Sequence, residues 1–297
     1  MTGVAPAQRP ARLAVGVVGA GRVGAVLGAA LQRAGHHLAG VAAVSRESLR
    51  RAESLVPDAP VLPPDQVAAD ADLLVLSVPD DVLADLVRGF AAAKAVRPGT
   101  MVAHTSGAHG FGVLDPLTRI GALPMALHPV MTFTGTEVDL QRLAGACFGV
   151  TAPEELRLAA EALVIEMGSE PVWIEEAARP LYHAALAVGA NHLVTLVAQA
   201  ADMLAQAGVK QPSRMLGPLL GAALDNALRR GDLALTGPVA RGDAGTVRAH
   251  LATLDTPESV GAYLAMSRLT AVRALAAGVL TPERAAALLD VLGGGGA

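Results

Sequence analysis

The feature that most constrains the fold is a glycine pattern near the start of the chain. Apolar residues 15–18 lead into Gly19-x-Gly21-x-x-Gly24. In a strand–turn–helix unit the first glycine permits a tight turn, the second lets the backbone approach a pyrophosphate, and the third allows close packing of helix on strand. With 32 glycines in the chain, the pattern alone is weak. Apolar residues at helical spacing follow it and predict the helix that the motif requires: Val23, Val26, Leu27, Ala30, Leu31 and Ala34.

The sequence therefore predicts a dinucleotide site, against the alternative of a merely structural glycine-rich turn. A helix that starts at such a turn offers free N–H groups and a positive dipole end to phosphates. The backbone of residues 77–81, at the end of a third predicted strand, is expected to pass under the nicotinamide ribose, with an ordinary strand-to-helix loop as the alternative. The expected cofactor contacts here are Gly19, Ala20, Gly21, Arg22, Val23, Gly24, Val78 and Pro79.

The end of the second predicted strand indicates which dinucleotide binds. An NAD site usually carries a carboxylate about 20 residues beyond the glycines, where it accepts from the ribose 2′-OH. Here that place holds Ser45 and Arg46. A hydroxyl and a guanidinium can both bind a 2′-phosphate, and the guanidinium can stack on adenine, so NADP is expected. Glu47 leaves an alternative open, because NAD would be preferred if it faced the ribose instead of Arg46.

Composition excludes several classes of protein. The formal net charge is −4 and aromatic residues are 2% of the chain, which argues against a nucleic-acid-binding surface. The single cysteine, Cys147, excludes an internal disulfide. An apolar run after Leu181 contains histidines and an asparagine, so a membrane span is not expected. We expect a cytoplasmic protein that acts on a small molecule, with no nucleic-acid or membrane partner.

The order of predicted elements divides the chain in two. Strand patterns near 14–18, 38–44, 72–79, 101–104, 123–127, 147–150 and 171–174 alternate with helices and predict a doubly wound, parallel α/β sheet. Thr151-Ala152-Pro153-Glu154 resembles a helix-capping box. From about residue 179 only helical patterns follow. We therefore expect a Rossmann-type dinucleotide-binding domain at 12–175 and an all-helical domain at 176–293, whose apolar faces suggest a homodimer.

Catalytic candidates lie after the predicted strands and on the first long helix. Ser106, in the small-residue segment 104–110, suits contact with a substrate carboxylate or carbonyl. His183 and Asn191 share one stripe of a regular helix, since they are eight residues apart. The alternative is that such buried polar groups only bond to neighbouring backbone. His104, His109 and His128 lack carboxylates at ligand spacing, and no metal is expected.

The combined motifs resemble one family of bacterial proteins. The fingerprint, LSVPDD, HTSGAHG, HPVMTF, YHAALAVGANHLV and LTGPVARGD occur in this order. They are similar to the proteins that pair a Rossmann-like domain with a DUF2520 domain, and the resemblance covers roughly residues 12–275. It implies an architecture like that of the 6-phosphogluconate, 3-hydroxyisobutyrate and ketopantoate reductases, and an NADP oxidoreductase. Those better-known relatives carry Lys-x-x-x-Asn on this helix, whereas Ala187 precedes Asn191 by four residues here.

Without that lysine, His183 is the best candidate for the proton donor, because imidazole titrates near working pH. The leading prediction is an NADPH-dependent reductase of a small carbonyl such as a 2-oxo acid, ketopantoate among them. In it His183 donates the proton, Asn191 orients the substrate and Ser106 binds its oxygen. Two alternatives stay open: a non-catalytic NADP(H)-binding regulatory protein, and a reductase of a cyclic imine.

Overall fold

A computed structural model describes residues 12–293 of the chain. The ends at 1–11 and 294–297, which their composition suggests are loose, lie outside the described residues.

Seven strands form one sheet in the order β2-β1-β3-β4-β5-β6-β7. They are β1 (Ala14–Val18), β2 (His37–Ala42), β3 (Leu73–Leu76), β4 (Met101–His104), β5 (Leu123–Pro129), β6 (Cys147–Thr151) and β7 (Glu170–Trp173). The first five are mutually parallel, so their carboxyl ends share one edge. All seven predicted strands are present. One detail differs from an all-parallel sheet: β6 runs antiparallel to β5, and β7 is parallel to β6.

The reversal at β6 follows from the connection that precedes it. Between β5 and β6 the chain makes a loop and one short helix at Glu137–Leu143. Asp139 organises that loop, since its buried carboxylate accepts hydrogen bonds from the N–H groups of Thr134 and Gly135. An antiparallel edge on a mostly parallel sheet is common in α/β folds.

Helices cover both faces of the sheet and make up the rest of the chain. The first seven are α1 (Arg22–Arg33), α2 (Arg46–Leu55), α3 (Pro64–Ala69), α4 (Asp80–Ala93), α5 (Asp115–Thr118), α6 (Glu137–Leu143) and α7 (Arg157–Glu166). The remaining seven are α8 (Arg179–Ala187), α9 (Leu193–Gln206), α10 (Pro212–Arg230), α11 (Gly237–Arg241), α12 (Ala244–Thr253), α13 (Pro257–Ala276) and α14 (Pro282–Gly293). Two buried apolar clusters flank the sheet, and a third joins α11 to α14.

The chain separates into two compact units after Gly189. The boundary expected from the end of the strand patterns lies earlier, at 175/176. The difference has a physical cause: Arg179, at the start of α8, is fully buried and hydrogen-bonds to backbone carbonyls of β5 and β6. Helix α8 therefore packs with the sheet, and α9 to α14 form the second unit.

The long helix expected from about residue 179 to 207 is interrupted once. A π-helical turn, Val188–His192, separates α8 from α9. A π turn adds a residue to the helical repeat, so the regular spacing assumed for His183 and Asn191 is not kept.

The stretch Glu176–Gln206 is long and apolar enough, by length and composition alone, to cross a membrane.

Candidate functional site

The turn between β1 and α1 is shaped by its glycines. Gly19 has a φ of +97°, a conformation that side chains rarely adopt. Gly24 packs so closely on Gly19 that a Cβ there would collide with the Gly19 carbonyl oxygen. At Gly21 the situation is the opposite, because a Cβ would meet no atom within 4 Å. The first and third glycines thus hold the turn together, and the second faces open space.

That open space suits a pyrophosphate. Gly21 is the N-cap of α1 and provides no side-chain cap, and the first helical N–H bond described runs from Ala25 to the Gly21 oxygen. The N–H groups of the first turn are therefore free to bind an anion at the positive end of the helix dipole. The residues present fit a dinucleotide, with Arg22, Val23 and Gly24 supplying the N–H groups.

The segment after β3 lines the same turn. A Cβ on Gly19 would collide with the Ser77 carbonyl oxygen and lie 3.2 Å from a Val78 methyl. Val78 therefore lies beside the turn. Pro79 follows as the N-cap of α4.

Ser45 and Arg46 stand where β2 leads into α2. The strand ends at Ala42, two residues earlier than its pattern predicts. Ser45 is the N-cap of α2, where its Oγ accepts a hydrogen bond of 3.1 Å from the Ser48 N–H. Arg46 and Glu47 are both exposed, and within residues 12–293 neither forms an ion pair. The geometry leaves both side chains free to meet a ribose or its phosphate.

A second cluster lies at the ends of β4, β5 and β6. His104 is fully buried, and its Nδ1 accepts a 3.2 Å hydrogen bond from the Ser106 N–H. Its Nε2 must then carry the proton, which it donates to the Gly110 oxygen at 2.8 Å. His104 thus closes the loop 104–110 on itself. Ser106 is buried in that loop, and its Oγ accepts from the His109 N–H at 3.2 Å.

Arg179 is the least expected member of this cluster. Its guanidinium donates to Thr151 Oγ1 at 2.7 Å and to the carbonyl oxygens of Gly149, Ala126 and Ser106 at 2.9, 3.2 and 3.4 Å. No carboxylate oxygen lies within 4 Å of it in the described part of the chain. A buried cation therefore stands behind the carboxyl ends of the strands.

The helix cap predicted at Thr151 is wrong. The Thr151 hydroxyl does not cap a helix, since it donates to the Ile174 oxygen and accepts from Arg179. Helix α7 begins only at Arg157, after a short 3₁₀ turn. The Thr151 hydroxyl binds the buried Arg179 guanidinium, and this tertiary contact takes the place of the predicted helix cap.

His128, Tyr182 and His183 meet in front of Arg179. His128 Nδ1 lies 2.7 Å from Tyr182 Oη, and the His128 and His183 rings are perpendicular with centroids 6.0 Å apart. A Cβ on Gly107 would lie 2.9 Å from His128 Nε2 and 2.6 Å from His183 Cδ2. Loop 104–110 thus passes close beneath both imidazoles. Of the predicted catalytic residues, His183 and Ser106 both belong to this first unit, whereas Asn191 is an exposed residue of the second unit.

Sequence reasoning missed Arg179, Tyr182 and the role of His128. The signal for Arg179 was available, because it is a lone arginine at the start of a mostly apolar helix, but its partners come from three distant segments.

Burial, with the nearby Arg179 charge, lowers the pKa of His128 to about 4. Burial likewise lowers the pKa of His104 to about 4. Within residues 12–293 no cluster of metal-ligating side chains occurs.

These two histidines predict a loss of stability in acid. The unfolded chain takes up a proton on each imidazole below its ordinary pKa of 6.5, whereas the folded protein does so only below about 4. The unfolded state therefore binds more protons across this window, and the free energy of unfolding falls as the pH drops through it. The complete loss is about 3 kcal/mol per histidine, of which about 2 kcal/mol falls between pH 7 and pH 5. Urea unfolding at pH 7 and pH 5, followed by the fluorescence of the single tryptophan, Trp173, measures it.

His104→Gln is the informative variant for this effect. It should weaken the pH dependence, whereas His109→Gln, which alters an exposed imidazole, should not. Equal stability of the wild-type protein at pH 5 and pH 7 would contradict the assignment of two neutral histidines.

Fold and site together define the class of protein: a Rossmann-type α/β domain with a dinucleotide-binding turn, followed by a helical domain. The model of the Rossmann-like domain matches residues 2–129, and that of the domain of unknown function DUF2520 matches residues 146–270. The chain belongs to the family that combines these two domains.

Solved structures share this fold. A proposed NADP oxidoreductase from Bacteroides fragilis has a TM-score of 0.75 at 23% identity, over 88% of this chain and 98% of its own. A protein from Thermotoga maritima has a TM-score of 0.64 at 19% identity, over 88% and 98%. The NADP-bound pyrroline carboxylate reductase of Plasmodium falciparum has a TM-score of 0.53 at 11% identity, over 93% and 98%. A search of curated proteins finds no match to this sequence.

Proposed function

We propose that this protein is an NADPH-dependent oxidoreductase that reduces a small carbonyl compound, with 2-oxo acids such as ketopantoate as the first candidates. One observation carries the proposal: the dinucleotide turn and the histidine cluster lie at the same carboxyl edge of one sheet. A 3.3 Å hydrogen bond from Thr105 to Ser77 links the loop after β4 to the loop that lines Gly19. In open α/β sheets, ligands bind along this edge.

The residues supply the functions that such a reduction needs. A bound nicotinamide supplies the hydride. His183 donates the proton to the substrate oxygen, and Ser106 binds the substrate carboxylate or carbonyl oxygen. Positioning the reacting carbon is the main contribution of the chain.

Following NADPH absorbance against a panel of 2-oxo acids and cyclic imines, ketopantoate first, tests the function. His183→Ala should lower turnover on an accepted substrate by about 100-fold or more, the usual contribution of a general acid. His109→Ala, with its exposed side chain on loop 104–110, is the matched control and should retain activity. Near-normal turnover of His183→Ala would refute the acid role.

Two other functions remain as competing outcomes of the same assay. Saturable NADPH binding without oxidation across the panel would favour a non-catalytic, NADP(H)-responsive protein, a possibility that the missing lysine suggests. Oxidation with cyclic imines alone would favour an imine reductase, in line with the fold shared with the Plasmodium pyrroline carboxylate reductase.

Cofactor selectivity gives a separate prediction. Arg46→Ala should weaken NADPH binding by about 10- to 100-fold, the range expected on losing a charge-assisted pair with a phosphate, and should leave NADH binding unchanged. Glu47→Ala, one residue along α2, is the matched control and should not weaken NADPH binding. Titration of each variant with both nucleotides measures this. Wild-type protein that binds NADH as tightly as NADPH would overturn the choice of NADP.

We also propose that the protein is a cytoplasmic homodimer that pairs through α9 and α10. Helix α9 has no buried side chain, and α10 has only Leu216. Seven large apolar residues of these helices are 39–80% exposed: Leu193, Val194, Leu196, Met215, Leu219, Leu224 and Leu228. Soluble monomers rarely expose apolar patches of more than a few hundred Å².

Sedimentation equilibrium tests the dimer. Wild-type protein should have twice the 30.0 kDa mass of one chain. The double variant Leu224→Glu, Leu228→Glu places two charges one helical turn apart and should shift the mass to that of a monomer. Leu158→Glu, on α7, alters a residue as exposed as Leu228, at 80%, and should leave the dimer intact. A monomeric wild-type protein would refute the proposal.

A further inference from the structure

The space around Tyr182 is made by a glycine in the neighbouring strand. Gly149 lies opposite His128 in the β5–β6 ladder, and a Cβ there would overlap the Tyr182 hydroxyl. The phenol therefore fits against β6 only because residue 149 has no side chain, and this places Tyr182 Oη 2.7 Å from His128 Nδ1. Gly149, Tyr182 and His128 therefore form one preorganised group in the fold.

This arrangement indicates which nitrogen of His128 carries the proton. Burial raises the pKa of Tyr182, and the Arg179 charge and the Gly149 N–H oppose that rise only in part, so the hydroxyl stays protonated at neutral pH. Within residues 12–293, the phenol hydroxyl has no hydrogen-bond acceptor besides His128 Nδ1. Tyr182 therefore donates to Nδ1, and the proton of the neutral imidazole resides on Nε2.

The Nε2–H group has no acceptor of its own in the described residues. It lies above Gly107, beside the His183 ring, at the carboxyl edge of the sheet. An oriented, part-buried N–H donor without a partner is a binding group for a ligand oxygen.

We infer that His128 Nε2–H is the donor that holds the substrate's carbonyl oxygen, that Tyr182 is the positioning residue that fixes this donor, and that the site selects carbonyl substrates over cyclic imines. The inference rests on the proposed reductase function. During reduction a hydride adds to the carbonyl carbon, the C=O π pair moves onto the oxygen, and the oxygen takes a proton from His183, while the nicotinamide is oxidised. A fixed neutral donor stabilises the negative charge that develops on that oxygen.

Charge supports the choice of substrate class. A cyclic imine is reduced as its iminium cation, which has no lone pair on nitrogen to accept from Nε2–H. Buried Arg179 adds a positive charge behind the site, and its effect on His128 exceeds the opposing effect of the Asp80 carboxylate. Glu176 also opposes the Arg179 charge, but its carboxylate is already bound to the N–H groups of Phe111 and Gly112. A site of this charge disfavours a cation and favours an oxygen that gains negative charge, as well as a carboxylate.

Nuclear magnetic resonance of protein labelled with ¹⁵N at histidine, loaded with NADP⁺, tests the inference without turnover. His128→Gln identifies the His128 signals. Long-range ¹H–¹⁵N correlation at pH 7 should show His128 as the Nε2–H tautomer, and Tyr182→Phe should produce a mixture of tautomers. Oxamate, which carries an amide carbonyl beside a carboxylate, should shift the Nε2 signal, whereas L-proline, with its cationic ring nitrogen, should not.

The binding of oxamate gives the second measure. His128→Leu should weaken it by about 10-fold or more, and His128→Gln, which retains an N–H donor, should weaken it less. An Nδ1–H tautomer, an Nε2 signal unmoved by oxamate, or a response to proline instead would each overturn the inference. A response to oxamate in a protein that oxidises NADPH with no member of the panel would leave the donor assignment standing and refute the proposed catalysis.

Discussion

Replacing Arg179 with methionine is expected to lower the free energy of unfolding by about 3–5 kcal/mol, the range for breaking a buried, charged hydrogen-bond network. Methionine fills similar space but donates no hydrogen bond. Thr151 and the carbonyl oxygens of Ala126 and Gly149 would then lose a donor inside the protein. Each unsatisfied buried acceptor costs about 1–3 kcal/mol, which outweighs the gain from no longer burying a charge.

Urea unfolding followed by Trp173 fluorescence measures this effect in the first unit, since the protein's single tryptophan lies on β7. Arg97→Met is the matched control. Its side chain is 57% exposed, makes a 3.5 Å ion pair with Asp72 and donates one 3.1 Å hydrogen bond to the Ala71 oxygen, so the expected loss is about 1 kcal/mol. An Arg179→Met protein as stable as wild type would show that the guanidinium does not hold α8 to the sheet.

Replacing Gly21 with valine is expected to weaken NADPH binding by at least about 100-fold, equivalent to about 3 kcal/mol. A Cβ at this position meets no protein atom within 4 Å, so the protein should still fold. The branched side chain would instead occupy the space through which the pyrophosphate approaches the N–H groups of α1. Titration with NADPH, together with urea unfolding, separates the loss of binding from any loss of stability.

Two other glycines of α1 serve as comparisons for Gly21→Val. Gly28→Ala should leave binding and folding intact, because its Cβ would lie at an ordinary 3.4 Å from a Val17 methyl. Gly24→Val should impair folding itself, because its Cβ would collide with the Gly19 backbone. If Gly21→Val bound NADPH as tightly as wild type, the turn would not be the phosphate site.

The strands were predictable because each carries a short apolar pattern that is independent of its partners. The bounds of β1 and β4 agree with their patterns, and β2 stops two residues early, at Ala42, where the Ser45 cap of α2 takes over. The direction of β6 was not predictable in this way, because the apolar pattern of a strand is the same whether the strand runs parallel or antiparallel to its neighbour. Direction depends on the course of the connecting segment, in which the buried Asp139 carboxylate binds the N–H groups of Thr134 and Gly135.

The residues of the candidate site also fall into those that local sequence predicts and those that depend on distant segments. Gly19, Gly21 and Gly24 are local, since their roles follow from the turn they occupy. Arg179 and Tyr182 act through contacts with β5 and β6, which are distant in sequence. The helical stripe of His183 and Asn191 assumed an uninterrupted α-helix, and the π turn at Val188–His192 breaks that assumption.

The sequence alone determined the dinucleotide turn, the order of strands and helices, and the family, because glycine geometry and apolar periodicity are properties of neighbouring residues. Only the tertiary structure revealed the buried guanidinium, the reversed edge of the sheet and the pairing of Tyr182 with His128. Those features depend on segments that meet only after folding, where burial sets the protonation of His104 and His128.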